Sequence, residues 1–125
     1  MAGSEYPLGE LTNRVVESFC QGGNPTVGAG DIGISSAAVP TGKRWVVTSI
    51  ACFNLQTINT NVQIYVHDGT GFRILKSQAS PAACQSTDWQ GVLVMEAGWY
   101  IRFVLNGCAL NDTIYWGITY YKIKD

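Results

Sequence analysis

The feature that most constrains this chain is a hydrophobic period of two. Val62, Ile64 and Val66 alternate with Gln63, Tyr65 and His67; Trp99, Ile101, Phe103 and Leu105 alternate with Tyr100, Arg102 and Val104. Ile114, Trp116, Ile118 and Tyr120 alternate in the same way with Tyr115, Gly117, Thr119 and Tyr121. Successive side chains of a strand point to opposite faces, so each run describes a strand with one buried side. No window shows the three-to-four spacing of an amphipathic helix, and the only helical candidate is a short turn near Leu8 to Val16.

Turn residues cut these runs into strands. Pro40-Thr41-Gly42-Lys43, Asp68-Gly69-Thr70-Gly71 and Glu96-Ala97-Gly98 are turn sequences, and Asn106-Gly107 opens a further loop. Strands are expected over 15–19, 34–39, 44–53, 62–67, 72–75, 91–95, 99–105 and 113–123. The stretch Gln21 to Gly33 reads as loop because it carries Gly22, Gly23, Gly28, Gly30 and Gly33; Ser77 to Asp88 reads as a polar loop. Arg44 to Phe53 has apolar side chains at both parities, as expected of a central strand covered on both sides. Seven to eight strands and no helix predict a single antiparallel jelly-roll-like β-sandwich. Its boundaries are read as an extended N-terminal arm over residues 1–14 and the sandwich domain over 15–125.

Charge narrows the functional classes. Only 14% of the 125 residues are charged, against about 25% in a typical soluble domain, and the net charge is −1. That lacks the basic excess of a phosphate-binding protein, so no nucleic-acid partner is expected. The longest apolar runs are strand-sized, so no membrane partner is expected either. The N-terminus lacks a basic start followed by an apolar block, and synthesis in a cytosol is the expectation. A surface so poor in charge has little protection against association, which suits an assembly component.

No motif for catalysis survives inspection. Gly28, Gly30 and Gly33 spell G-x-G-x-x-G, but Pro40 follows too soon for the helix that holds a dinucleotide, so no cofactor is expected. His67 is the sole histidine and is expected at an exposed polar position opposite Val66, without the partners of a general base. The cysteines show no metal-ligand spacing, so no metal is expected. Asp31, Asp68, Asp88, Glu96 and Asp112 all fall in loops or turns, where backbone hydrogen bonding explains acidic residues. The sequon Asn111-Asp112-Thr113 is read as chance. The catalytic set is therefore empty, and the expectation is that the chain is not an enzyme.

Two residue groups remain. Cys52 sits inside the strongest strand and reads as a buried thiol. Cys20, Cys84 and Cys108 fall at a strand end or in loops; they are candidates for disulfide cross-links within or between subunits, or remain reduced thiols. The aromatics Trp89, Trp99, Tyr115 and Tyr121 are candidate interface residues, with a sugar-stacking platform as the alternative.

The pattern from Val39 to Ile123 resembles small β-sandwich structural proteins of tailed-bacteriophage virions. The resemblance rests on V-P-x-G-K-x-W-V-V-T-S-I over 39–50, an Asn-containing turn at Asn54, the strand ending in D-G at Gly69, W-x-G-V-L-V-M over 89–95, E-A-G-W over 96–99 and the closing strand over 113–123. It implies a non-enzymatic protein that decorates and stabilises the capsid exterior (a cement-like role), forms a homotrimer and contacts the major capsid protein or other virion proteins. It also implies a virion location after assembly in the host cytoplasm. A collar, neck-attached or fibre-head module, with carbohydrate binding among its roles, is the alternative that the resemblance leaves open.

Overall fold

A computed structural model describes residues 15–124; the expected arm over 1–14 lies outside the described residues, as does most of the helical-turn candidate. The described chain is all strand and turn: β1 (Val15–Gly23), β2 (Thr26–Val27), β3 (Gly30–Ser35), β4 (Lys43–Asn54), β5 (Asn61–His67), β6 (Phe72–Ala79), β7 (Thr87–Met95), β8 (Tyr100–Cys108) and β9 (Asp112–Lys124). One sheet runs β1-β9-β4-β7, with β2 also on β9; the other runs β3-β8-β5-β6. All pairs are antiparallel. First pairs with last, and so inward: β1 and β2 with β9, β3 with β8, β4 with β7, β5 with β6. That nesting is a jelly roll, one long antiparallel ribbon wrapped into two sheets.

The period-two residues fill the space between the sheets. Val62, Ile64, Val66, Ile101, Phe103 and Leu105 from one sheet meet Val47, Ile50, Ile114 and Ile118 from the other, all at most 1% exposed. Turn chemistry closes the strands where expected. Lys43 N donates to the Pro40 carbonyl at 3.2 Å with Gly42 at φ 77°, the positive value that a type II turn asks of its third residue.

Several elements differ from the sequence reading. Glycine did not break the strands: Gly22 and Gly23 lie within β1, and Gly30 and Gly33 within β3, because pairing to β9 and β8 outweighs weak local propensity. Ser36–Val39 leaves the sheet after β3. Pro25 does interrupt the ladder, separating β2 from β1, while its carbonyl still accepts from Ile114 N at 3.0 Å. The polar stretch 77–88 is partly strand, and β8 runs on through Gly107 to Cys108.

The double parity of β4 has a different cause from the expected one. Buried positions are Trp45 and Val47, then Ile50, Cys52 and Asn54, so the phase slips by one at Thr48–Ser49. The register against β9 shifts at that point, a bulge that adds one residue to β4. Apolar residues of both parities thus serve one buried face, and the other face of β4 lies on the outside of the sheet.

Candidate interaction surfaces

The loop end beyond Asn54 and Cys108 is built around a buried acid. Asp112, 3% exposed, accepts hydrogen bonds from Asn54 Nδ2 (3.0 Å), Thr57 Oγ1 (2.8 Å) and Ala109 N (2.7 Å). Burial pushes its pKa up, but the bonds from Asn54, Ala109 and Thr57 outweigh that and hold it below the ordinary carboxylate value. Asn54 Oδ1 in turn accepts from Gln56 N and Thr57 N, and Asn59 Nδ2 donates to the Asn106 carbonyl at 3.1 Å. Two loops, 55–60 and 109–111, are thereby fixed to each other. At their tips stand Leu55, Ile58 and Leu110, exposed by 38, 61 and 71%. The result is a rigid loop pair with apolar tips. The sequence reading took Asp112 as a local turn residue and missed this cross-loop role, since Thr57 and Asp112 are far apart in sequence.

A second surface is the outer face of the sheet β1-β9-β4-β7. Val94, Val46 and Tyr121 are register partners across β7, β4 and β9. Further along, Tyr115 stacks on Phe53 with ring centroids 5.1 Å apart. This pair lines a depression together with Ala51, Ser86, Trp116 and Gly117. Tyr115 and Tyr121 are 37 and 39% exposed on this face. The other two candidate aromatics are placed differently. Trp89 is half-buried, with its ring against Gly91, and Trp99 is half-buried beneath the Arg73 guanidinium, 5.5 Å from the ring centre. Both pack against the core.

A third cluster, which the sequence reading missed, lies on the outside of the opposite sheet. His67 stacks on Tyr100 (4.9 Å, 8° between planes), with Phe72 edge-on to both. His67 is therefore half-buried among rings, where an exposed polar position was expected: it is flanked by aromatic register partners, Phe72 on β6 and Tyr100 on β8. Its Nδ1 accepts from Gly69 N at 3.2 Å, so the lone pair a general base would use is already engaged.

The remaining acids are engaged in structure. Asp31 accepts from Gly107 N, Asp68 from Thr70 and Gly71 amides, Asp88 from the Ser86 hydroxyl, and Glu96 sits 3.9 Å from Arg44. Gly28, Gly30 and Gly33 lead into strand β3, without the helix a dinucleotide site needs.

The cysteines separate by environment. Cys52 is 1% exposed; burial, and then the Asp88 charge, push its pKa up to about 12. Cys84 is exposed, with its thiol 3.2 Å from the Leu55 carbonyl. Cys108, expected in a loop, is instead the last residue of β8, 5% exposed, with Asn59 Nδ2 at 3.3 Å from its sulfur. Its pKa is raised, chiefly by burial. A cross-link through Cys108 would require the stapled loops to open. Cys52, Cys84 and Cys108 are all free thiols. Cys20 stands opposite Thr119 in the β1–β9 ladder, and its side chain lies outside the description.

The fold and these surfaces define a jelly roll with apolar outer patches. A chain in the acidic stable capsid structure of Helicobacter pylori bacteriophage KHP30 has the same fold: TM-score 0.57 and 12% identity, covering 89% of this chain and 96% of that one. Weaker likenesses include a chain in the structure of infectious bursal disease virus Gt strain (TM-score 0.40, 13% identity, 89% of this chain and 32% of that one). Another is TmCBM61 in complex with β-1,4-galactotriose (TM-score 0.37, 12% identity, 92 and 93% covered). By sequence, no family model and no curated protein matches.

Proposed function

We propose that this chain is a non-enzymatic structural protein of a bacteriophage virion that sits on the capsid exterior as a homo-oligomer, a trimer on the sequence reading, and holds neighbouring capsomers together. The observation that supports this reading is the likeness of fold to a chain of a phage capsid structure, over 89% of this chain and 96% of that one. The surfaces support it. Ile58 and Leu110 are apolar anchors on loops already fixed by Asp112, so docking them costs little ordering entropy. Many weak, equivalent contacts over a shell add through avidity.

The mechanism is mechanical. Apolar loop tips bury against the shell, and the outer sheet faces bury against neighbouring copies. Cys84, the exposed thiol among the cysteines whose side chains are described, is the candidate for a cross-link between subunits. The carbohydrate-binding alternative has less support, because Trp89 packs against Gly91 and the Trp99 ring is covered by Arg73. Co-sedimentation of the purified chain with empty phage shells tests the proposal. Saturable binding that Ile58→Asp with Leu110→Asp abolishes is expected; a well-folded chain that never sediments with shells would sink it.

A further inference from the structure

Arg102 stands in the middle of the outer face of the β3-β8-β5-β6 sheet, in a register row that runs Ile74, Tyr65, Arg102, Ser35 across all four strands. Its guanidinium turns toward β3, where Nη1 donates to Ser35 Oγ at 3.0 Å. A Cβ built on Gly33 would collide with Nη2 first, then with Cζ at 2.6 Å and Nε at 3.2 Å. With Cζ nearer than Nε, that position lies above the plane of the group and not off its Nε–Nη2 edge. The guanidinium therefore rests flat on the glycine, with its edges open. A glycine inside a strand weakens it and marks a place where something must come close to the backbone. Here the approaching group is Arg102. Of the three arginines whose side chains are described, Arg44 has Glu96 at 3.9 Å and Arg73 has Asp68 at 3.0 Å. Arg102 has no carboxylate partner among the described residues.

The Ser35 hydroxyl engages one donor of Arg102, and the Nε–Nη2 edge, the pair that grips a carboxylate in two parallel bonds, is left over. We propose that this edge receives an aspartate or glutamate side chain of a different virion protein. Charge selects a carboxylate. One guanidinium balances one negative charge, whereas a phosphate-bearing chain is held by several cations together. The surroundings select a protein as its bearer. Beyond Tyr65 on the same face, Phe72 and Ile74 are 49 and 53% exposed, and arginine among aromatic and apolar side chains is the composition of a protein contact. A second copy is a poor donor, because the described carboxylates of this chain already have partners within it. Asp31 accepts from Gly107, Asp68 pairs with Arg73, Asp88 accepts from Ser86, Glu96 pairs with Arg44 and Asp112 accepts from Ala109. At this row, then, the face meets an unlike neighbour. The inference deepens the proposed function and rests on it for the partner, while the receptor itself stands on the geometry of Arg102, Ser35 and Gly33.

Arginine Nε–Hε NMR signals of the full chain, titrated with sodium acetate against sodium chloride at constant ionic strength, test the receptor. The Arg102 signal, assigned by its loss in Arg102→Lys, shifts saturably and at least about twice as far as those of Arg44 and Arg73, which face acids already. Gly33→Ala lifts the guanidinium off its seat and brings the shift down to theirs, with the thermal melt little changed. Co-sedimentation with empty phage shells tests the partner. Arg102→Gln weakens saturable binding about tenfold or more, as loss of bonds to a charged acceptor requires, and Arg102→Lys, without the planar fork, does not restore it. An Arg102 signal that moves no further than the other two, or one indifferent to Gly33→Ala, would overturn the receptor. Undiminished shell binding by Arg102→Gln would overturn its assignment to a virion partner. A folded wild-type chain that ignores shells altogether removes the virion partner with the virion reading, and the acetate titration still decides the receptor.

Discussion

Replacing Asp112 with Ala puts the architecture of the loop end to a quantitative test. The carboxylate is 3% exposed and serves three donors at 2.7 to 3.0 Å. Each hydrogen bond to a charged acceptor contributes about 1.5–3 kcal/mol, and donors left unpaired in a buried site cost further. Water entering the vacated loop end returns part of this, so the net loss is about 3 kcal/mol, or about 10 °C in Tm for a domain of this size. The loss depends on pH in a definite sense. The folded-state pKa of Asp112 lies below the ordinary value, so the unfolded chain takes up its proton first as pH falls. The carboxylate's contribution is complete above the unfolded value near about 3.9 and is lost as pH drops through the folded one. Urea unfolding of wild type and Asp112→Ala at neutral pH and near pH 3 reads both effects. The gap should be about 3 kcal/mol at neutral pH and clearly narrower in acid. An equal gap at both would mean that the cost is a lost shape rather than a lost charge, and a gap below about 1 kcal/mol at neutral pH would mean that the acid does not hold the loops.

Other outcomes follow from the same geometry. Phe103, fully buried and 5.4 Å from the Trp116 ring, should cost about 3–5 kcal/mol when cut to Ala, measured by denaturant unfolding. A maleimide probe should label Cys84 in the folded chain, whereas Cys52 and Cys108 should react only on unfolding, read by mass spectrometry of digested protein. Gly22→Ala should destabilise by about 2 kcal/mol, because the added carbon would meet the Trp116 carbonyl oxygen at 2.5 Å. Gly33→Ala should cost less than about 1 kcal/mol, because there the obstacle is the Arg102 guanidinium, which can swing away; thermal melts compare the two.

Period-two alternation was enough to predict β5, β8 and β9 and their buried faces, because a strand's inside and outside are written directly in residue parity. Turn residues marked most of the ends, and together these led to the all-β class and a strand number close to the nine among the described residues. What the sequence could not carry were relations between distant residues. The bulge that lets both parities of β4 serve one core face depends on its register with β9. The glycines of β1 and β3 are strand only because β9 and β8 lie beside them. Thr57 and Asp112, or His67 and Tyr100, become neighbours through the fold alone. Whether Cys108 is open or shut is likewise decided by what packs against it, and local pattern holds no record of that.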